Sequence, residues 1–408
     1  MQTVVFREEF KAQRLLHRGF ATNVGPHFWQ NLGFGTPRNV ANTTIMRRGA
    51  ALLAGWEGGA PHTMDATTLE TRGEETFGGV IAKQATLAHM HHDAVADRLL
   101  LCSIKNGPKV TFTFRELDAD NHLTSTREAV VKGPVFAHDF AFTKSWYVIG
   151  GNPLNMRLAE LAKMALGSST LLRSLVPDGD APGVVHLIPR HGDGPVRTVR
   201  LPGPAFVVHF GNAFEQDGTV FIDVCAFSSF EFGEEFGYTG PTTPFDPALP
   251  DKRGPQRLYR VTIPAGATVA TWRPLVPHGV DFPRVHPRGQ GTDVPVLYGA
   301  CRADTRYSDP FDSIIRVDLR SPDAAPQLWT APANVFVGEP LFIPAAADIG
   351  CVAGHVVAIV SDGDLAQSRL VILDAEHIDA DPVAEITMPL LPVAFHGDWD
   401  GTDAVGGH

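Results

Sequence analysis

Short apolar stretches recur along the whole chain, and each is bounded by glycine, proline, asparagine or aspartate. The stretches are rich in valine, isoleucine, phenylalanine and threonine, the residues that fit best on the pleated surface of a sheet. Such stretches separated by turn residues are typical of β-strands. The chain is therefore predicted to be an all-β protein. Representative stretches are Val110–Phe114, Trp146–Ile149, Val184–Ile188, Thr219–Val224, Leu258–Ile263, Val294–Tyr298, Ile314–Leu319 and Leu370–Leu373.

The length of the chain limits the all-β architectures that it can adopt. With 408 residues, many short strands favour a β-propeller, a β-helix or tandem sandwiches. The sequence contains no repeat of fixed period of the WD40 or kelch type. No low-complexity linker divides it, so we expect a single domain over residues 1–408.

Residues 154–175 differ from the rest because their apolar side chains follow helical spacing. Leu154, Leu158, Leu161 and Met164 recur at intervals of three or four residues, which predicts a helix. The helix is expected to break near Gly167–Ser169. Its broad apolar face either caps the β core or forms a patch that contacts a membrane or guides a lipophilic substrate.

Composition and charge exclude several classes of protein. The 34 lysines and arginines are outnumbered by 45 aspartates and glutamates, giving a net charge of −11, whereas nucleic-acid binding needs clustered cations. We therefore expect no nucleic-acid partner. The four cysteines form no CxxC pair and are too few for a disulfide scaffold, which favours the reducing cytoplasm. No run of about 18 apolar residues is present to span a membrane, and the charged start of the sequence does not resemble a signal peptide.

Seventeen histidines provide many candidate metal ligands. None of them belongs to an HExxH motif or has zinc-finger spacing, so a metal site would have to be built from distant strand ends. Four histidines lie singly in apolar, strand-like contexts: His89, His138, His209 and His396. Taken alone, each of them is more often a hydrogen-bonded core residue than a metal ligand.

Short motifs around these four histidines follow the order of one known family. They are Ala88-His89 followed by Asp93, His138-Asp139-Phe140 with Thr143, His209 with Asn212, Ala213 and Glu215, and Phe395-His396-Gly397. Further matching segments are Ala54–Asp65, Leu187–Gly192, Leu258–Val261, Val280–Pro287 and Glu339–Pro344. Over residues 41–399 the sequence resembles the carotenoid cleavage oxygenases, the family that includes apocarotenoid and lignostilbene dioxygenases.

Two more histidines follow the first motif closely, and Met90 replaces the proline of the family's pattern. The preceding alanine and the aspartate at position 93 keep His89 as the expected ligand. His91 and His92 are expected to be solvent-exposed turn residues.

The resemblance implies a seven-bladed β-propeller, with a dome of loops and a helical insertion at about 154–175 over one face. Family members usually carry an earlier segment with a W-F-D-G-D-G stretch, which this sequence lacks. We therefore expect either an incomplete N-terminal blade or a truncated gene product.

The resemblance also implies a non-haem Fe(II) held by the four histidines, with open positions for dioxygen. Imidazole equally suits zinc, copper and nickel, so the ligand set alone does not name the metal. Three carboxylates are expected to orient the histidine rings by hydrogen bonding: Glu57, Asp281 and Glu339. Asp281 replaces a glutamate, so its hydrogen bond is expected to be longer, bridged by water or absent.

The reaction implied by the resemblance is oxidative cleavage of a C=C bond to two carbonyl products. Stilbene-cleaving members carry a lysine at the position of Trp56, which favours a lipophilic carotenoid or apocarotenoid substrate here. Cleavage of a stilbene-like phenylpropanoid stays open as an alternative, and Trp56 could also be a packing residue. A third alternative is a catalytically impaired propeller that binds a lipophilic ligand.

Overall fold

The structure is a computed structural model, and it describes residues 1–33, 38–82, 84–178, 181–228, 256–307, 310–321, 323–392 and 394–399. Strands dominate these residues, so the prediction of an all-β fold is confirmed. The helices are short: α1 (Val4–Ala12), the 3-10 helix η1 (Phe28–Asn31), α2 (Leu158–Ala165) and α3 (Leu171–Ser174). Among the described residues, no helix combines the length and apolarity needed to cross a membrane.

The first two sheets each contain four antiparallel strands in chain order. Their strands are β1 (Thr44–Arg48), β2 (Ala51–Gly55), β3 (His62–Asp65), β4 (Thr71–Glu74), β5 (His91–Asp93), β6 (Arg98–Lys105), β7 (Lys109–Leu117) and β8 (Leu123–Lys132). Strand β6 is buried on both faces because Leu99, Leu100 and Leu101 are all inaccessible to solvent. Strand β8 alternates between exposed and buried positions at the outer edge, as expected for a strand with one solvated face.

The third region contains a four-stranded sheet of order β10-β11-β14-β15 and a small sheet of order β13-β12-β9. The strands are β9 (Val135–Phe136), β10 (Ala141–Phe142), β11 (Trp146–Gly150), β12 (Asn152–Met156), β13 (Leu175–Pro177), β14 (Val184–Pro189) and β15 (Arg197–Arg200).

A seven-stranded sheet follows, with its strands in chain order. They are β16 (Phe206–Gln216), β17 (Thr219–Phe227), β18 (Arg257–Ile263), β19 (Thr271–Arg284), β20 (Val296–Cys301), β21 (Ser313–Asp318) and β22 (Gln327–Thr330). Strand β19 pairs with β18 mainly through residues 271–274 and with β20 through residues 280–284. One long strand thus joins two groups of strands.

The last sheet is built around β25, which pairs with β23, β24 and β26. Its strands are β23 (Val335–Val337), β24 (Leu341–Pro344), β25 (Gly354–Asp362), β26 (Gln367–Asp374) and β27 (Ala384–Pro389).

The hydrophobic cores lie between successive sheets. Phe112 and Phe114 of the second sheet pack with Tyr147 of the third region, and Val148 of that region packs with Val224 of the seven-stranded sheet. Similar clusters join the first sheet to the second and the seven-stranded sheet to the last. Sheets that stack face to face in chain order form a propeller-like arrangement.

The prediction of a helix over 154–175 is correct only in part. Residues 154–156 belong to strand β12 and pair with residues 175–177 of β13, so the helical part is α2 and α3 alone. The predicted break lies at Gly167, whose φ of +79° is unfavourable for other residues. A Cβ atom at Gly167 would also clash with the Phe28 carbonyl group of η1. The glycine therefore lets η1 pack closely against the end of α2.

Candidate metal centre

The structure brings the four predicted histidines together from four separate parts of the chain. His89 precedes β5, His138 lies between β9 and β10, His209 lies within β16, and His396 follows β27. One nitrogen atom from each ring lies within 4.8 Å of the corresponding atoms of the other three.

The four rings face one another through their Nε2 edges. The Nε2 atoms of His89 and His138 lie 3.3 Å apart, and the centroid of the His89 ring is 4.4 Å from that of His396. Metal–imidazole bonds of about 2.1 Å place two ligand nitrogens about 3 Å apart when the bonds meet at right angles. His209 Nε2 is buried and has no hydrogen-bond partner, which is costly unless something else satisfies it. The arrangement therefore fits a metal cation.

The three carboxylates expected from the sequence each lie next to the Nδ1 edge of one ring, on His138, His209 and His396. Glu57 Oε1 pairs with Nδ1 of His138, Asp281 Oδ1 lies 2.6 Å from Nδ1 of His209, and Glu339 Oε1 lies 2.8 Å from Nδ1 of His396. A carboxylate on Nδ1 fixes the tautomer and leaves Nε2 free to bind a metal. A long, water-bridged or missing hydrogen bond was expected for Asp281. The direct 2.6 Å contact shows that this expectation is wrong.

A bulge in β19 brings the shorter Asp281 within reach. Asp281 pairs with Ala300 and Arg284 with Tyr298, so β19 has one more residue than β20 over this interval. Phe282 within the bulge has a φ of +50°, which is rare for a residue with a bulky side chain. Bulges redirect side chains in this way next to functional sites.

The surroundings of His89 favour the neutral form of its imidazole ring. Burial, together with the neighbouring rings of His396, His138 and His209, holds the pKa of His89 well below its usual range. Burial alone would raise the pKa of Glu339, but Arg284 and His396 lower it to about 2. A neutral ring is the form that binds a metal, and ionised carboxylates around it offset a cation's charge.

His91 and Asp139 form a buried pair that the sequence did not predict. His91 Nε2 lies 2.9 Å from Asp139 Oδ1, and His91 Nδ1 lies 3.1 Å from Gln290 Oε1. Asp139 also accepts a hydrogen bond from the Phe210 N–H group, next to the candidate ligand His209. His91 is 8% exposed, so the expectation of an exposed turn residue is wrong. It occupies strand β5, where the chain pairs with buried β6.

The remaining motif residues lock neighbouring sheets together. Arg190 Nη2 lies 2.7 Å from Asp93 Oδ2 and Arg190 Nε lies 2.6 Å from Glu116 Oε1. Thr143 Oγ1 donates to Glu215 Oε1 at 2.5 Å. These bonds explain why acidic residues and threonine accompany the histidines in the motifs, since they fix the strand ends that carry the histidines.

A cluster of apolar side chains packs beside the four rings. Phe136 stacks on Phe206 at 5.4 Å, and its ring centroid is 6.3 Å from that of His138. Both belong to a cluster with Leu154 and Leu175, which lie in β12 and β13 at the base of α2 and α3. A buried apolar cluster therefore connects the helical segment with the histidine cluster.

Known proteins share both the sequence pattern and the fold. The family model of RPE65, the retinal pigment epithelial membrane protein, matches residues 1–400. The chain is 30% identical to apocarotenoid-15,15'-oxygenase of Synechocystis over 98% of this chain and 81% of that enzyme. It is 26% identical to isoeugenol monooxygenase of Pseudomonas nitroreducens over 96% of this chain and 81% of that protein.

A solved structure of cobalt-substituted Synechocystis ACO, the apocarotenoid oxygenase, superposes with a TM-score of 0.89 at 28% identity. The superposition covers 98% of this chain and 83% of that one. The order of the four histidine motifs, the sheet arrangement and these matches over nearly the whole chain agree. The chain therefore belongs to the RPE65 family of carotenoid cleavage oxygenases.

Proposed function

We propose that this carotenoid-oxygenase-like enzyme holds one Fe(II) ion and cleaves a C=C bond of a carotenoid or apocarotenoid to carbonyl products. The proposed ligands are His89, His138, His209 and His396. The observation that carries the proposal is the meeting of four imidazole edges around the buried, unpartnered Nε2 of His209. Membership of an oxygenase family supports iron over the other metals that imidazole binds.

The protein's own groups would hold the metal and fix the geometry around it. Glu57, Asp281 and Glu339 each keep one ligand ring in the tautomer that presents Nε2. Iron(II), when bound by four histidines, supplies the activation of dioxygen. Aromatic side chains exclude water from one side of the site, since the Phe282 ring lies 5.1 Å from His396 and 5.6 Å from His209.

A lipophilic polyene would reach the site past the apolar cluster formed by Phe136, Phe206, Leu154 and Leu175. Leu154 and Phe206 are buried, so the cluster would have to open to admit it. The cluster offers apolar contact area, which suits an extended hydrocarbon. Trp56, next to Glu57, provides no cation for a phenolate. These features favour a polyene over a hydroxylated stilbene.

We further propose that residues 1–408 form one seven-bladed propeller domain, with α2 and α3 as a helical insertion in its dome. Support comes from the propeller-like order of the sheets and from β19, which serves two groups of strands. The described residues supply five sheets of four or more strands, the largest having seven.

The helical segment would also make a peripheral membrane contact. Leu158 is 74% exposed and Leu166 64% exposed, and Phe28 and Trp29 of the adjoining η1 are 55% and 59% exposed. Exposed apolar side chains grouped in this way are unusual on a soluble surface and suit the boundary of a lipid layer. We propose a cytoplasmic enzyme that takes its substrate from a membrane surface.

Anaerobic reconstitution with Fe(II), followed by metal analysis, tests the proposed site. About one iron per chain is expected. The His209→Ala and His396→Ala variants should bind iron more weakly and retain less of it than the wild type, whereas exposed His92→Ala should retain as much as the wild type. Iron binding unchanged in the first two variants would overturn the ligand assignment.

A substrate panel then separates the candidate reactions. Oxygen consumption and aldehyde release from an apocarotenal would support the proposal, and turnover of a hydroxystilbene alone would favour a phenylpropanoid substrate. A protein that binds no iron yet retains an apocarotenoid would be a non-catalytic binding protein.

A further inference from the structure

The candidate ligand His396 lies in an irregular segment after β27, unlike His209, which lies inside β16. A ligand outside regular structure must be held by other contacts before it can bind a metal with fixed geometry. Glu339 makes two of these contacts, since its Oε1 lies 2.8 Å from His396 Nδ1 and its Oε2 accepts from the Gly397 N–H group at 2.7 Å.

Arg284 completes these contacts into a closed clamp. Its Nε and Nη2 atoms donate to the two oxygens of Glu339, both at 2.8 Å. Nη2 also donates to the Gly397 carbonyl oxygen at 2.9 Å. One guanidinium group therefore binds both the carboxylate that orients His396 and the backbone next to it. Such paired bonds fix orientation as well as position.

The bulge in β19 makes the clamp possible. Residues three apart in a regular strand point to opposite faces of the sheet. The extra residue between Asp281 and Arg284 reverses that alternation, because their partners Ala300 and Tyr298 are only two residues apart. Asp281 and Arg284 therefore lie on the same face of β19. One short stretch of this strand thus serves two ligands, His209 through Asp281 and His396 through Arg284.

We propose that Arg284 is a positioning residue that holds His396 in the metal centre by clamping Glu339 and Gly397. The inference rests on the proposed metal site. Arg284 reaches neither a ligand Nε2 atom nor the space between the rings by any described contact, so it acts through Glu339. Without Arg284, Glu339 would keep its bonds to His396 and Gly397 but would lose both of its bonds to β19.

Arg284→Met and Arg284→Lys test the clamp, with Co(II) and Fe(II) as the probes. Arg260→Met is a matched control, because Arg260 binds Asp223 through the same pair of bonds, both 2.8 Å long, between β17 and β18. Loss of a group that orients a metal ligand typically weakens metal binding about 10- to 100-fold. We expect that loss for Arg284→Met, a smaller loss for Arg284→Lys, and wild-type affinity for Arg260→Met.

Two readouts separate positioning from a general loss of stability. The visible spectrum of bound Co(II) should change in Arg284→Met towards that of His396→Ala, because both weaken the same ligand. In the His396→Ala background, Arg284→Met should have almost no further effect on metal affinity, since residues that act as one unit are not additive.

The experiment distinguishes failure of the Arg284 clamp from failure of the proposed metal site. If the wild-type protein binds no metal, the proposed function fails and the clamp fails with it. If the wild-type protein binds metal and Arg284→Met binds it with the same affinity and spectrum, only the clamp is overturned. If Arg284→Met does not fold by circular dichroism, Arg284→Lys carries the same comparison, and an unchanged affinity and spectrum would again overturn the clamp.

Discussion

Asp281 Oδ1 lies 2.6 Å from Nδ1 of His209, although an aspartate is one methylene shorter than the glutamate expected at this position. The bulge around Phe282 moves the backbone so that the short side chain makes the bond directly. The two groups also affect each other's ionisation. Burial alone would raise the pKa of Asp281, but the His209 ring lowers it.

The contact predicts that Asp281→Asn weakens metal binding by about 10- to 100-fold, because an amide cannot offset the charge of the metal or fix the ring as a carboxylate does. Isothermal titration of the apoprotein with Co(II) measures the change. Asp97→Asn is the matched control, since Asp97 binds the exposed His92 at 3.0 Å. Equal affinities for Asp281→Asn and Asp97→Asn would show that the contact has no role in metal binding.

Arg190 is predicted to be important for stability rather than for chemistry. Its side chain is 4% exposed, and its guanidinium group is the shared partner of Asp93 and Glu116. Arg190→Met leaves two buried carboxylates without their cation, which typically costs about 3–5 kcal/mol. Urea unfolding followed by fluorescence measures this loss.

Arg306→Met is the control for Arg190→Met, because Arg306 pairs with Asp304 at the surface. Exposed pairs contribute little to stability, so the unfolding midpoint should not move. If both variants had the same midpoint as the wild type, the buried network would not stabilise the fold.

His186 is predicted to make the fold sensitive to acid. Burial lowers its pKa to about 4, from the usual 6.5. Between these two pH values the folded protein keeps the ring neutral, whereas the unfolded chain takes up a proton. Stability is therefore unaffected above pH 6.5 and is lost as the pH falls from 6.5 towards 4, by at most about 3 kcal/mol.

His186→Gln removes this titration, so its free energy of unfolding should change less between pH 7 and pH 4.5 than that of the wild type. His122→Gln serves as the control, because the His122 side chain is 78% exposed. A wild-type pH dependence in His186→Gln would rule out His186 as a source of acid sensitivity.

Leu158 and Leu166 are predicted to contribute to membrane association. Replacing both by serine removes exposed apolar area, and burial of that area in a lipid boundary is worth about 25 cal/mol per Å². Sedimentation with liposomes should show less bound protein for the double variant. The double variant Leu69→Ser/Leu365→Ser is the control. It removes two leucines that are also exposed, at 60% and 64%, but that lie outside residues 154–175. Equal binding by the two double variants would exclude a specific contact through residues 154–175.

The candidate ligands could be predicted because their motifs are local. His138-Asp139-Phe140 and the segment after His209 are recognisable from a few adjacent residues, and Glu57 and Glu339 lie in segments of the same kind. The structure then brings together histidines that are far apart in the sequence, which no spacing rule could do.

The His91–Asp139 pair and the Arg284 clamp were not predicted, because they depend on strand alternation and burial. The two-residue spacing of His91 from His89 is the period of a strand, and this was the only signal in the sequence that His91 could lie beside the site. The burial of Asp139, which makes it need a partner, is visible only in the structure. Arg284 gave no such signal, because the bulge that turns it towards Glu339 is a property of the pairing between β19 and β20. The strand at residues 154–156 was missed for a similar reason, since pairing with β13 overrides its helical spacing.

The most direct test of the central claim is a single-turnover measurement on protein loaded with one Fe(II) per chain. An apocarotenal is added in air-saturated buffer, and the aldehyde products and oxygen uptake are followed together. We predict aldehyde release that depends on iron and is lost in the His396→Ala variant. Iron bound at one per chain with no cleavage of any apocarotenal or carotenoid would contradict the account.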